Sequence, residues 1–155
     1  MKILLAVDGS EFSLKAADEI ARRPWPTGSM LEILSVVEPP YLPTTEAWAL
    51  TNNSYIEADE AAKEQAQTIV VGAEKRIRQS LGTALEIIPK VVEGHTVSRI
   101  LEEAESWGAD LIVLGSHGYR GLTRLLLGSV SNAVATHAKC SVEIVRPPQA
   151  RPSVS

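Results

Sequence analysis

The sequence is short of several things, and each shortage removes a class of protein. It has a single cysteine, Cys140, so no internal disulfide can form. A reducing compartment, the cytoplasm, is the expected setting. It has no basic excess: the formal net charge is −4 and the sequence pI is near 5.4. Broad electrostatic binding to nucleic acid or to acidic membranes is not expected from such a balance. No apolar run reaches the length of a membrane span. The opening MKILLAVDGS has one lysine and a short apolar run, and the acidic Asp8 and Glu11 follow without a small-residue cleavage site. It reads as a first strand rather than a signal peptide. No G-x-x-x-x-G-K-[ST] motif occurs, which excludes a phosphate loop with its lysine. No cluster of Cys, His, Asp or Glu has metal-ligand spacing, and no catalytic set stands out.

What is present alternates between two kinds of segment. Lys2 to Val7, KILLAV, is apolar without alternation, as expected for a central parallel strand covered on both faces. A helix follows, with Phe12, Ala16, Ile20 and Ala21 at helical spacing, and Pro24-Trp25-Pro26 ends it. Ser29 to Val37 is a second strand. Residues 38 to 52, rich in proline and threonine, form a loop-like insertion, read either as a surface excursion or as a lid or partner surface. From Asn53 to Leu81, Ala58, Ala62, Ala66, Ile69, Ala73 and Ile77 mark one side of a long amphipathic helix stopped by Gly82. Ala84 to Val92 is a third strand, and Pro89 inside it favours an edge position, because proline cannot donate to a central ladder. A helix over 96–107 capped by Gly108, a fourth strand over 110–114, a helix to about Ala138 and a fifth strand over 140–146 complete the series. Strand and helix in alternation predict a parallel sheet with helices on both faces. The expected organisation is one domain over 1–147 and a frayed tail over 148–155.

The segment GSHGYRGLTRLLLGS, residues 115 to 129, joins the fourth strand to the last helix. It holds four glycines and two arginines. In such folds ligands bind beyond the carboxyl ends of the strands, where strand order reverses. Two tips carry small polar residues: Asp8-Gly9-Ser10 and Gly115-Ser116-His117-Gly118. If the first and fourth strands are neighbours, both tips border one crevice. Gly115 and Gly118 can take backbone angles closed to other residues, and they let main-chain N–H groups approach a ligand. Gly128 and Ser129 open a helix whose free N–H groups suit a phosphate. Ser129 and Ser131 can add hydroxyls, and His117, Arg120 and Arg124 can add charge or hydrogen bonds. Each has a plainer reading as well: Ser129 as an N-cap, Gly118 as a turn residue, the arginines as solvated.

The spacing Gly115-x2-Gly118-x9-Gly128-Ser129 matches the G-x2-G-x9-G-[S/T] pattern of the ATP-binding branch of the universal stress protein family. ILLAVDGSEFSLKAADEIA resembles that family's opening strand, acidic turn and first helix. The stretch from GADLIVLGSHG to CSVEIVR resembles its closing half. The resemblance implies a Rossmann-like α/β fold of the adenine nucleotide alpha hydrolase-like type. It has a five-stranded parallel sheet in the order 3-2-1-4-5, helices on both faces and an adenine nucleotide (ATP, AMP or ADP) at the crevice. It implies roles for Asp8 near ribose or a phosphate-bound Mg, and for the Val36 backbone at adenine. Gly115, His117 and Gly118 would surround ribose and phosphate, and Gly128, Ser129, Val130 and Ser131 would form the phosphate-binding helix start. Ser10 is read either as part of this site or as a helix N-cap. The family commonly pairs its last strand with that of a second copy, so a homodimer is expected, with a protein partner of unknown identity.

With that resemblance, three readings of the function stand open. The first is an ATP-dependent regulatory switch in stress response, with at most slow hydrolysis. The second is a nucleotide-dependent transferase of a related fold. That class would want an S-G-G-x-D-S loop or an H-x-G-H signature, and neither occurs. The third is an interaction module without nucleotide, against which the intact glycines speak.

Overall fold

The computed structural model describes residues 1–39, 52–118 and 127–146. Its elements run β1 (Lys2–Ala6), α1 (Glu11–Arg22), β2 (Met30–Val37), α2 (Asn52–Leu81), β3 (Glu86–Glu93), α3 (Thr96–Trp107), β4 (Leu111–Gly115), α4 (Ser129–His137) and β5 (Ser141–Val145). All strand pairs are parallel, in one five-stranded sheet of order β3-β2-β1-β4-β5. That is the order the family resemblance implies. Pro89 lies on edge strand β3, paired with β2 alone, where its missing N–H costs no ladder bond.

The unbroken apolar runs are explained by two cores, one on each side of the sheet. Ile3, Leu5 and Val7 of the first strand segment, with Leu31, Ile33 and Val113, pack beneath α1 and α2. Leu4, Leu34, Ile112 and Leu114 pack beneath α3 and α4. Small residues let α1 lie close: Ala16, Ala17 and Ala21 are buried together with Ile20. Gly108, left-handed at φ 71°, ends α3 and donates its N–H to the carbonyls of Ala104 and Glu105.

The stripe expected on α2 is only partly right. Ala66, Ala73 and Ile77 are buried, and so is Val70, but Ala58 is exposed. The helix has 30 residues, about 45 Å of rise, against strands of five to eight residues. Its first turns therefore overhang the sheet. The third strand starts at Glu86 rather than Ala84, because the Ala84 N–H is held by the Leu81 carbonyl in the turn after α2. The insertion at 40–51, the arginines 120 and 124, and the tail from 147 lie outside the described residues.

Candidate functional site

β1 pairs with β2 on one side and with β4 on the other, so strand order reverses between β1 and β4. Their carboxyl ends bring the two polar tips together. Asp8 sits at the first. The Ser10 N–H donates to Asp8 Oδ1 at 3.0 Å, a turn that Gly9 permits with φ 80°. Ser10 is buried, and its hydroxyl accepts from the Ser13 N–H as the N-cap of α1. Of its two sequence readings, capping is the one observed, and it orients Asp8 through its backbone.

The other Asp8 oxygen faces the second tip. A Cβ on Gly118 would lie 2.7 Å from Asp8 Oδ2. A Cβ on Gly115 would lie 2.6 Å from the Phe12 carbonyl carbon and 2.7 Å from its oxygen. Neither glycine has a positive φ. The expectation that they take angles closed to other residues is thus overturned. Close approach is what excludes a side chain: the first turn of α1 crosses Gly115, and the Asp8 carboxylate occupies the side of Gly118.

The helix start lies against the same tip. Gly128 is the N-cap of α4, in extended conformation, with no side-chain capping bond. Its N–H donates to the Ser116 carbonyl at 2.8 Å. The capping role considered for Ser129 therefore falls one residue earlier, on a residue with no side chain to fill it. Ser129 is exposed at the first helical position, and Val130 packs half-buried against the α3–α4 core. Ser131 is 2% exposed, and its hydroxyl reaches the carbonyls of Ser116 and Gly128, each at 3.0 Å. It ties the helix to the end of β4. Val36 is half-buried near the end of β2, opposite Val92, and packs on the α3 side. Two residues on, Glu38 accepts from the Thr96 N–H at the start of α3.

His117 stands between these parts. Its ring centroid is 5.0 Å from that of Phe12, at 48°. Its Nδ1 is 3.1 Å from the Ser116 hydroxyl. Ser116 and Phe12 were not among the site residues read from the sequence. The available signal was a serine at the point where β4 passes from apolar core to loop. Among the described residues, no group of three or more His, Cys, Asp or Glu is placed to hold a metal ion.

A second polar group lies away from the crevice. Glu32 of β2, 2% exposed, faces Glu103 of α3, itself buried, with Lys90 of β3 bonded to Glu103 and 3.9 Å from Glu32. Glu32 Oε1 is buried without a partner. Burial first, and then the Glu103 carboxylate, push the Glu32 carboxyl up to about 7, with Lys90 opposing. At the amino end of β4, opposite the crevice, Cys140 forms part of the wall of a cavity of about 210 Å³. Burial there raises its thiol, consistent with an apolar filler.

The model of the universal stress protein family matches residues 1–146, and the chain belongs to that family. It is 32% identical over 151 residues to the universal stress protein MJ0531 of Methanocaldococcus jannaschii, covering 96% of this chain and 83% of that one. In fold it resembles the universal stress protein UspA from Lactobacillus plantarum, with a TM-score of 0.76 at 23% identity over 94% of this chain and 97% of that one. A universal stress protein solved in complex with cAMP has a TM-score of 0.61 at 27% identity, over 94% and 96% of the two chains.

Proposed function

We propose that this chain binds an adenine nucleotide, ATP in its working form, in the crevice between the β1 and β4 tips. There it acts as a nucleotide-dependent regulatory switch in stress response. The observation that carries the reading is the junction of Gly118, Asp8 and the α4 start. Gly118 and Gly128 carry no side chains there, and among the described residues no side chain caps the helix N-terminus that Gly128 opens. Such a terminus offers N–H groups and a partial positive charge to an anion. A relative of the same fold solved with cAMP supports an adenine nucleotide as the ligand class.

In this reading the backbone of Ser129 and Val130 holds phosphate, with the Ser129 hydroxyl beside it. Gly115, Gly118 and Gly128 leave the room, and Ser131 and Ser10 brace the two walls. Val36 borders the adenine, and His117 meets ribose or phosphate. Asp8 supplies a hard oxygen donor. One carboxylate suits an Mg ion that is otherwise held by phosphates and water. That ion would supply charge neutralisation of the phosphates, and hydrolysis in this reading is slow at most. The switch works by population shift: the nucleotide must favour one arrangement of the 38–52 segment or of a dimer over another. The dimer forms through β5, the edge strand on the β4 side of the sheet, and the setting is the cytoplasm.

The test is a backbone amide spectrum of the nitrogen-labelled chain during titration with Mg·ATP. The Ser129 and Val130 amides are expected to move most. Binding that leaves those amides unmoved would overturn the placement.

A further inference from the structure

We propose that Ser116 and Phe12 fix the His117 imidazole in the tautomer with its proton on Nε2, and that this Nε2–H donates to an oxygen of the bound nucleotide. The second half rests on the nucleotide reading above. The first stands on the local geometry alone.

Ser116 is 1% exposed. Its backbone is fully engaged: the N–H donates to the Val145 carbonyl at 2.9 Å, and the carbonyl accepts from the Gly128 N–H and the Ser131 hydroxyl. Its own hydroxyl has one partner among the described residues, His117 Nδ1 at 3.1 Å. A buried hydroxyl proton needs an acceptor. If Nδ1 carried the ring proton, it would donate to Ser116 Oγ, and the serine proton would be left without an acceptor among the described residues. If Nδ1 is the acceptor, both groups are satisfied, and the ring proton is on Nε2. The serine therefore selects the tautomer, as a second hydrogen bond does for a metal-bound histidine.

Phe12 holds the ring from another side, 5.0 Å between centroids, while its own backbone is lodged against Gly115. Rotating the imidazole means giving up or shifting that ring contact. The Cα of His117 in turn lies 3.2 Å from where a Gly128 Cβ would be, so its backbone runs beside the N-cap of α4. Nε2 is the ring nitrogen left for a ligand at the place where phosphate or ribose oxygens are proposed to lie. Ser116 is a positioning residue in this scheme, acting through His117 without touching the nucleotide.

Two measurements test it. Nitrogen NMR of the imidazole in the nucleotide-free chain reads the tautomer directly. An acceptor-type Nδ1 and a protonated Nε2 are expected for His117, changing to a tautomer mixture in Ser116→Ala. A protonated Nδ1 in the native chain would overturn the first half. Calorimetric titration with Mg·ATP then compares the native chain, Ser116→Ala, His117→Ala and the double variant, with melting curves to show that each is folded. Roughly three- to tenfold weaker binding is expected for each single variant, and no further loss in the double. Unchanged affinity in His117→Ala, or additive losses, would overturn the donor role. A folded native chain that binds no Mg·ATP would overturn the nucleotide reading and the donor role together, while the NMR result still decides the tautomer.

Discussion

Gly115 has no space for a methyl group, because the Phe12 carbonyl group already lies where a Cβ would be. The listener across that contact is backbone, which cannot swing away as a flexible side chain can. Gly115→Ala is expected to lower stability by about 1–3 kcal/mol, the usual cost of overpacking, measured by chemical denaturation. A variant as stable as the native chain would contradict the packing account of this residue. The sequence pattern singled out Gly115 and Gly118, but one of the two reasons it offered, an unusual backbone angle, holds at this crevice for Gly9 at φ 80° instead. A spacing of glycines is legible in a sequence. What occupies the space beside each of them depends on residues a hundred positions away, Phe12 and Asp8, and is not.

Element by element, the parallel sheet was legible from the alternation of short, largely apolar strands with helices, and Pro89 marked an edge, while the order of the strands came from the family resemblance. Glu32 was not. It interrupts MLEILSVV, and a single carboxylate in an apolar strand carries no sign of its partner on another element. Folding places it against Glu103 with one shared lysine, Lys90. Because the folded carboxyl titrates near 7 rather than at its ordinary 4.5, the folded chain holds a proton that the unfolded chain releases between those values. The contribution is thus favourable below about 4.5 and is lost as pH rises toward 7. Native stability is expected to fall over that interval by something on the order of 3 kcal/mol from this group. Asp18 and Glu19 act in the opposite sense. Bonds from Arg76 and from Arg23, respectively, hold their carboxyls below the ordinary range, so their contribution disappears on acidification. Denaturation curves of the native chain and Glu32→Gln across pH 5 to 8 separate the two effects. The glutamine variant should lose the decline toward neutrality, and retention of the full decline would contradict the assignment.

For the whole molecule, the exposed edge at β5 is the feature that calls for a partner. Among the described residues it pairs only with β4, and a strand edge of that kind offers backbone groups to a further strand. Glu143 at its middle is held by both terminal nitrogens of Arg23, each at 2.6 Å, so the strand carries a neutralised charge on the α1 side. A second copy pairing about a two-fold axis would cover that edge and close the assembly. Sedimentation over a concentration series is expected to give a dimer, and a monomer at every concentration would contradict the proposed pairing.

The nucleotide itself is the central claim, and calorimetric titration of the nucleotide-stripped chain with Mg·ATP tests it most directly, with Gly118→Val run beside the native protein. Valine would drive its Cβ into the Asp8 carboxylate, now 2.7 Å from that position. The account predicts one binding event per native chain and at least about tenfold weaker binding in the variant, a change of roughly 1.4 kcal/mol. A folded native chain that gives no binding heat and no ATP-induced rise in melting temperature would contradict it.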